Sequence, residues 1–268
     1  MIIKGVAKPG DLRVGLIVQG RVIGAVLMRE LHTRFGRDNI GYLWMFVEPM
    51  LLAAAISGVH LAVHARLPYG MDIVPFYLAG YTPFLMFRQI VNRAPATIES
   101  NRTLLYHRQI SLFDLLLSRA LLDLVGTSLA LFTLMAATTA IGLGELPDRP
   151  LLVFAGLLLM FWLSFGFSLP LAAAAELSST VDRLTHPATY IMMPLSGVFF
   201  LIEQVPPSYR DILVWGPIIH ITQLIRMGQY GNFNSVYVDI PYVVMWCVVL
   251  TFVGMIALRW VRARMTLE

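Results

Sequence analysis

Six apolar stretches, each close to the length that crosses a bilayer, constrain this chain more than any other feature it carries. They fall at about 43–63, 73–92, 112–142, 150–175, 186–203 and 238–259. A helix of about 20 residues spans the hydrocarbon layer. Lipid offers no hydrogen bonds to an open backbone, so segments crossing it must be helical or form a closed barrel. With 57% hydrophobic residues, 13% charged residues and a mean hydropathy of +0.71, a soluble globular fold is excluded. The expected fold class is an all-α integral membrane protein, with a single transmembrane domain over 1–268 and no sizeable soluble part.

Several activities are excluded early. Lys4 and Lys8 are the only lysines, and neither follows a Gly-x-x-x-x-Gly pattern, so the chain holds no P-loop. ATP-driven work would need a nucleotide-binding partner. The single cysteine, Cys247, sits in an apolar run and supports no disulfide within the chain and no redox motif. Residues 1–15 are mixed and polar, so no cleavable signal peptide is expected. No serine lies in a Gly-x-Ser-x-Gly elbow and no carboxylate pair marks acid–base work, so no catalytic residues are expected. His60 and His64 have the spacing of metal ligands on a helix, but with no third ligand nearby they read as an interfacial pair. No nucleic-acid partner is expected.

The approach to the first span is distinctive. Residues 34–49 read RFGRDNIGYLWMFVEP: arginines, then paired aromatics, then Glu48 and Pro49 inside the apolar run. Arginines and aromatics suit a helix passing through the headgroup layer. A carboxylate inside the span costs several kcal/mol, on the order of 3, unless it faces protein or water, and so points to a transport path. Pro75, Gly80 and Pro83 predict a short or kinked second span. Asp114, Arg119 and Asp123 predict a third helix projecting beyond the bilayer, with Arg119 and Asp123 paired on one face. Residues 205–222 are apolar but short and proline-rich, which predicts a periplasmic re-entrant or interfacial segment.

Orientation follows from the basic residues. With both termini in the cytoplasm, all of the lysines and arginines except Arg66, Arg149, Arg210 and Arg226 fall on or near that side. Residues 12–35 read as an amphipathic interfacial helix, Leu16, Ile23, Leu27 and Leu31 on one face and Gln19, Arg21, Arg29 and His32 on the other. The cytoplasmic segment 93–111 sets Leu104, Leu105 and Tyr106 among Glu99, Asn101, Arg102, His107 and Arg108. Apolar anchors rimmed by charge suit docking into another protein's groove; a solvated loop is the plainer alternative.

Candidate pathway residues are Trp44, Glu48, Tyr77, Tyr81, Phe84, Phe87 and Arg88, because aromatic faces stack on sugar rings and arginine suits an anionic group. Interfacial belting and helix packing would use the same residue types. Arg29, Arg34 and Arg37 with Arg88 and Arg93 are candidates for gathering an anionic head group, or for setting orientation alone. Pro206, Pro207, Trp215 and Ile219 are the candidate periplasmic gate.

These stretches resemble a known family. Arg29-Glu-Leu, Arg34-Phe-Gly-Arg37, Gly41-Tyr-x-Trp44 and Glu48-Pro49 resemble the first segment of ABC-2-type polysaccharide export permeases. Glu99-Ser-Asn101, Leu104-Leu105 and Arg108-Gln-Ile are similar to that family's cytoplasmic coupling segment. The capsular branch is the nearest resemblance, with O-antigen and teichoic acid exporters behind it and drug or lipid efflux permeases as a further alternative. The resemblance implies a type V exporter-like fold in the inner membrane. It implies a homodimer bound to two ATPase subunits, which supply ATP and magnesium sites. The implied cargo is a lipid-linked polysaccharide, handed to a periplasmic adaptor and an outer-membrane channel.

Overall fold

The computed structural model describes residues 12–35, 40–62, 67–101 and 111–265, some of them by backbone alone. The described residues form nine α-helices and two short 3-10 turns. In chain order these are α1 (Leu12–Phe35), α2 (Ile40–Ala62), α3 (Ile73–Glu99), α4 (Leu112–Ala140), α5 (Pro150–Leu177), α6 (Ser179–Leu195), α7 (Pro207–Leu213), α8 (Pro217–Gln229) and α9 (Ile240–Met265). Three of them, α4, α5 and α9, are long and apolar enough to cross a membrane. A shorter apolar stretch, Met50–His60, lies within α2.

Local chemistry sets the helix ends. Ser111 caps α4: its hydroxyl accepts the Asp114 N–H, and the Asp114 carboxylate accepts the Ser111 N–H in return. Helices α5, α7 and α8 open on proline, where a missing N–H costs nothing. The second apolar stretch is neither short nor broken. Pro75 lies in the first turn of α3, Pro83 is absorbed within it, and the helix continues past Arg93 to Glu99. The fifth stretch departs from expectation in the other sense. α6 begins at Ser179, ahead of the apolar run, and ends at Leu195, and the chain then turns through Gly197 at φ +74°.

Helix α5 is the centre of the bundle, packed against α9, α3, α8 and α4, with α6 beside it. Small residues allow close approach: Gly156 faces Ile225 of α8, Gly166 faces Leu250 of α9, and Gly254 faces Leu169 of α5. The pairing of residues 166 with 250 and 169 with 254 makes α5 and α9 parallel. The N-terminus of α9 therefore lies at the end of the bundle opposite the α3–α4 connection. Outward, α9 presents Val248, Val249, Phe252, Val253 and Ile256, exposed apolar side chains of the kind lipid or another helix covers.

Helix α1 lies along α4. Ile23, Leu27 and Leu31 of the predicted apolar face are half-buried, and Arg21, Arg29 and His32 of the predicted polar face are exposed. Val26 is buried, and the neighbouring contacts are polar: Gln19 Nε2 donates to Asp114 Oδ1 at 2.9 Å and Glu30 accepts from Arg119.

Candidate functional site

Three polar clusters stand out in a molecule otherwise packed with aliphatic and aromatic side chains. The first lies along α3. At about 100° per residue, Tyr77, Tyr81, Phe84, Arg88 and Asn92 fall on one face of this helix. Helices α2 and α6 meet that face. Tyr77 shares a hydrogen bond with His60 Nε2 at 3.1 Å, the other ring nitrogen of His60 facing the Ile56 carbonyl. Glu48 Oε1 accepts from the Tyr81 hydroxyl at 3.1 Å and from Arg88 Nη2 at 2.5 Å. The Arg88 guanidinium also stands 5.1 Å from the Tyr190 ring centre on α6, and Thr189 donates to Asn92. The Glu48 carboxylate thus meets a cation and a phenol donor, the arrangement that makes a charge tolerable inside a span.

The remaining pathway candidates separate. Phe84 lies on the same face of α3 yet is fully buried, and Phe87 turns to α5, meeting Phe167 edge-on at 5.7 Å. Both are packing residues in this protomer. Trp44 is 62% exposed on α2, one turn before Glu48.

The second cluster binds α1 to the ends of α3 and α4. Arg29 Nη1 donates to Asn101 Oδ1 at 3.3 Å, and Arg119 bridges Glu30 and Thr97 at 3.1 and 2.9 Å. Arg93 donates to the buried carboxylate of Asp123 at 3.0 Å. The expected Arg119–Asp123 pairing along α4 is thereby replaced: each residue takes its partner from a different helix, because α1 and α3 bring Glu30 and Arg93 closer to hand. Asn101 is buried and also donates to the Thr97 carbonyl, whereas Glu99 is exposed at the end of α3. The Arg34 side chain, Arg37, His64, Leu104, Leu105, Tyr106 and Arg108 lie outside the described residues.

The third cluster is one that the sequence reading does not single out. Arg226 of α8 is fully buried, its guanidinium donating to the carbonyls of Gly197, Val198 and Phe200 at 2.6 to 2.7 Å. The Phe76 ring lies 3.8 Å beneath it. Gly80 completes the arrangement: a β-carbon there would stand 2.9 Å from both Arg226 Nη2 and the Val198 oxygen. Arg226 pins the turn after α6 against α3. An arginine inside the run Ile-Thr-Gln-Leu-Ile-Arg is the available signal, since a charge in an apolar segment needs dedicated partners. Beyond it, Tyr230 donates to the Asp72 carbonyl at 2.7 Å, and burial raises its phenol pKa well above the ordinary tyrosine range.

Of the gate candidates, Pro206 and Pro207 begin α7, and Trp215 is 79% exposed in the turn between α7 and α8. Ile219 is buried against Gly197.

Three apolar helices of membrane-crossing length mark a multi-pass membrane protein, with charges paired between its helices. The chain belongs to the ABC-2 type transporter family, which it matches over residues 21–230. It is 36% identical over 240 residues to the capsule polysaccharide export inner-membrane protein CtrC of Neisseria meningitidis serogroup B, covering 90% of this chain and 91% of that one. It is 33% identical over 244 residues to the capsule polysaccharide export inner-membrane protein BexB of Haemophilus influenzae, with 91% and 92% covered. The polysialic acid transport protein KpsM of Escherichia coli is 28% identical over 252 residues, with 92% and 96% covered. In transporters of this family the ATPase is a separate subunit, and this chain is the membrane component.

Proposed function

We propose that this chain is the permease subunit of an ATP-driven exporter that moves capsular polysaccharide across the bacterial inner membrane. The observation that carries this reading is similarity along nine-tenths of the chain to capsule polysaccharide export proteins of two organisms. The functional unit is a homodimer with two ATPase subunits. The cargo is a polysaccharide carried on a lipid, passed onward to a periplasmic adaptor and an outer-membrane channel. Six spans place both termini in the cytoplasm, with 205–222 re-entering from the periplasmic side.

Within that frame each cluster has a task. The α3 face with Glu48, Tyr81 and Arg88 lines the substrate path, with Trp44 at its inner mouth. The arginines 29, 34, 37 and 93 gather the anionic head of the cargo lipid. The segment 93–111 docks the ATPase, and the polar clamp of α1 on α3 and α4 carries its movement into the bundle. The clamp supports this assignment because side-chain contacts join α1 to α3 and α4 and tie those two together at the end where that segment lies.

Replacing Leu104 and Leu105 with aspartate tests the docking. Two charges in an apolar groove cost several kcal/mol, on the order of 5 in total. The variant is expected to stay in the membrane, lose at least nine-tenths of the co-purifying ATPase and stop exporting. Normal ATPase recovery on affinity purification would reject the docking assignment.

A further inference from the structure

At the end of the bundle opposite the α3–α4 connection, an open groove of about 470 Å³ lies between the α7–α8 turn and the start of α9. It belongs to none of the three clusters above. Its volume is in the range of small-molecule sites, roughly 300–1,000 Å³. Beside Val214 and Val236 its lining carries three aromatic rings and two ionisable groups: Trp215, Tyr237, Tyr242, His220 and Asp239.

The polar groups hold the rings in place. Tyr242 donates its hydroxyl to the Trp215 carbonyl at 2.8 Å, which fixes the α7–α8 turn against α9. His220 Nε2 faces the Val214 carbonyl at 2.7 Å, and Nδ1 accepts the Asp239 N–H at 3.1 Å. Both ring nitrogens are therefore satisfied with the imidazole neutral. Asp239 Oδ1 accepts the Tyr242 N–H at 2.9 Å, and a carboxylate retains further acceptor capacity beyond one such bond. Arg210, just behind, is engaged by the Tyr237 hydroxyl and by the carbonyls of Glu203 and Val205. Trp215 is 79% exposed, and Val236, which also lines the groove, is 85% exposed.

We propose that this groove is a saccharide-binding site: one sugar ring of the exported polymer stacks on Trp215 between the two tyrosines, and its hydroxyls donate to the Asp239 carboxylate. Aromatic faces take the apolar face of a pyranose, while a fixed carboxylate takes its hydroxyls. A phosphate head group is disfavoured, because the lining holds an acid and its nearest cation is committed to protein oxygens. The site holds the leading segment of the chain where it leaves the path, which resists back-sliding between strokes. This inference rests on the export reading above.

The test uses the full-length protein with its ATPase partner in detergent. Oligosaccharides cut from the strain's own surface polymer are titrated against intrinsic fluorescence, Trp215 being the most exposed of the five tryptophans with described side chains. Saturable quenching is expected, weakened at least tenfold in Trp215→Ala and several-fold in Asp239→Asn, the variants' affinities being read by equilibrium dialysis. Absence of saturable binding to the wild type overturns the proposal, as does equal affinity of wild type and variants. Displacement of the oligosaccharide by glycerol phosphate would assign the groove to lipid head groups and also overturn it. A shift from dimer to monomer in Trp215→Ala with affinity unchanged would assign the groove to contact between copies, which overturns it too. Deletion strains separate the two claims: surface polymer that persists without the chain rejects the export reading. Polymer that vanishes while Trp215→Ala binds and exports normally rejects the groove alone.

Discussion

Arg226→Met is expected to lower the melting temperature of the detergent-solubilised protein by about 10 °C. The guanidinium satisfies three carbonyls of the turn after α6, two of them in fully buried bonds. Methionine fills much of the volume but donates nothing. Each buried carbonyl left without a partner costs roughly 1–3 kcal/mol, so the turn loses several kcal/mol, on the order of 4. For a chain of this size that corresponds to a few degrees per kcal/mol, about 2–4 °C each. Arg226→Lys should fall between, because an ammonium lacks the planar fork that reaches several carbonyls at once and stacks less well on Phe76. Differential scanning of the three proteins gives the ranking. A melting temperature within about 2 °C of wild type for Arg226→Met would show that other contacts hold the turn.

Export should also depend steeply on the pair Glu48 and Arg88. Each is partly sheltered, with 30% and 15% of its side chain exposed, and each is the other's ion-pair partner. Glu48→Ala leaves the partly sheltered Arg88 cation without its carboxylate, and Arg88→Ala leaves the Glu48 carboxylate to the Tyr81 hydroxyl. We expect surface polymer to fall at least tenfold in either single variant, normalised to the amount of protein in the membrane. The double variant should lose less than the two singles combined, the sign of direct coupling. Additive losses would show that the two residues act separately, and normal export in the singles would confine the pair to helix packing.

The residues that resist reading from sequence share a physical reason. Apolar runs announce α4, α5 and α9 because length and hydropathy are local properties of the chain. The cap of α4 is equally local, Ser111 and Asp114 standing three apart. Leucine spacing marks the half-buried side of α1 but reports only apolar complementarity, so it misses Gln19 and Glu30, which α4 engages through Asp114 and Arg119. The same local logic pairs Asp123 with Arg119, although Arg93 reaches it from α3. The proline pattern of α3 suggests a short or kinked span, whereas the helix runs on from Ile73 to Glu99, with Pro75 placed where no N–H is required. Arg226 is the largest omission. Its partners are carbonyls of residues 197, 198 and 200, and no side-chain pattern encodes where a backbone turn will be delivered. For the candidate site, the sequence indicates Trp44, Glu48, Tyr77, Tyr81, Phe84, Phe87 and Arg88 as one set, within which the fold joins Glu48, Tyr81 and Arg88. It could not separate them from Phe84 and Phe87, which burial commits to packing.

The measurement closest to the central claim is surface polysaccharide on cells from which this gene has been deleted, stained and extracted alongside cells carrying the gene on a plasmid. Export by this permease predicts that the deletion strain loses its surface polymer and accumulates lipid-linked polymer inside, and that wild-type protein restores the surface layer while the Leu104→Asp, Leu105→Asp variant does not. A deletion strain with a complete surface layer and no internal polymer would contradict it.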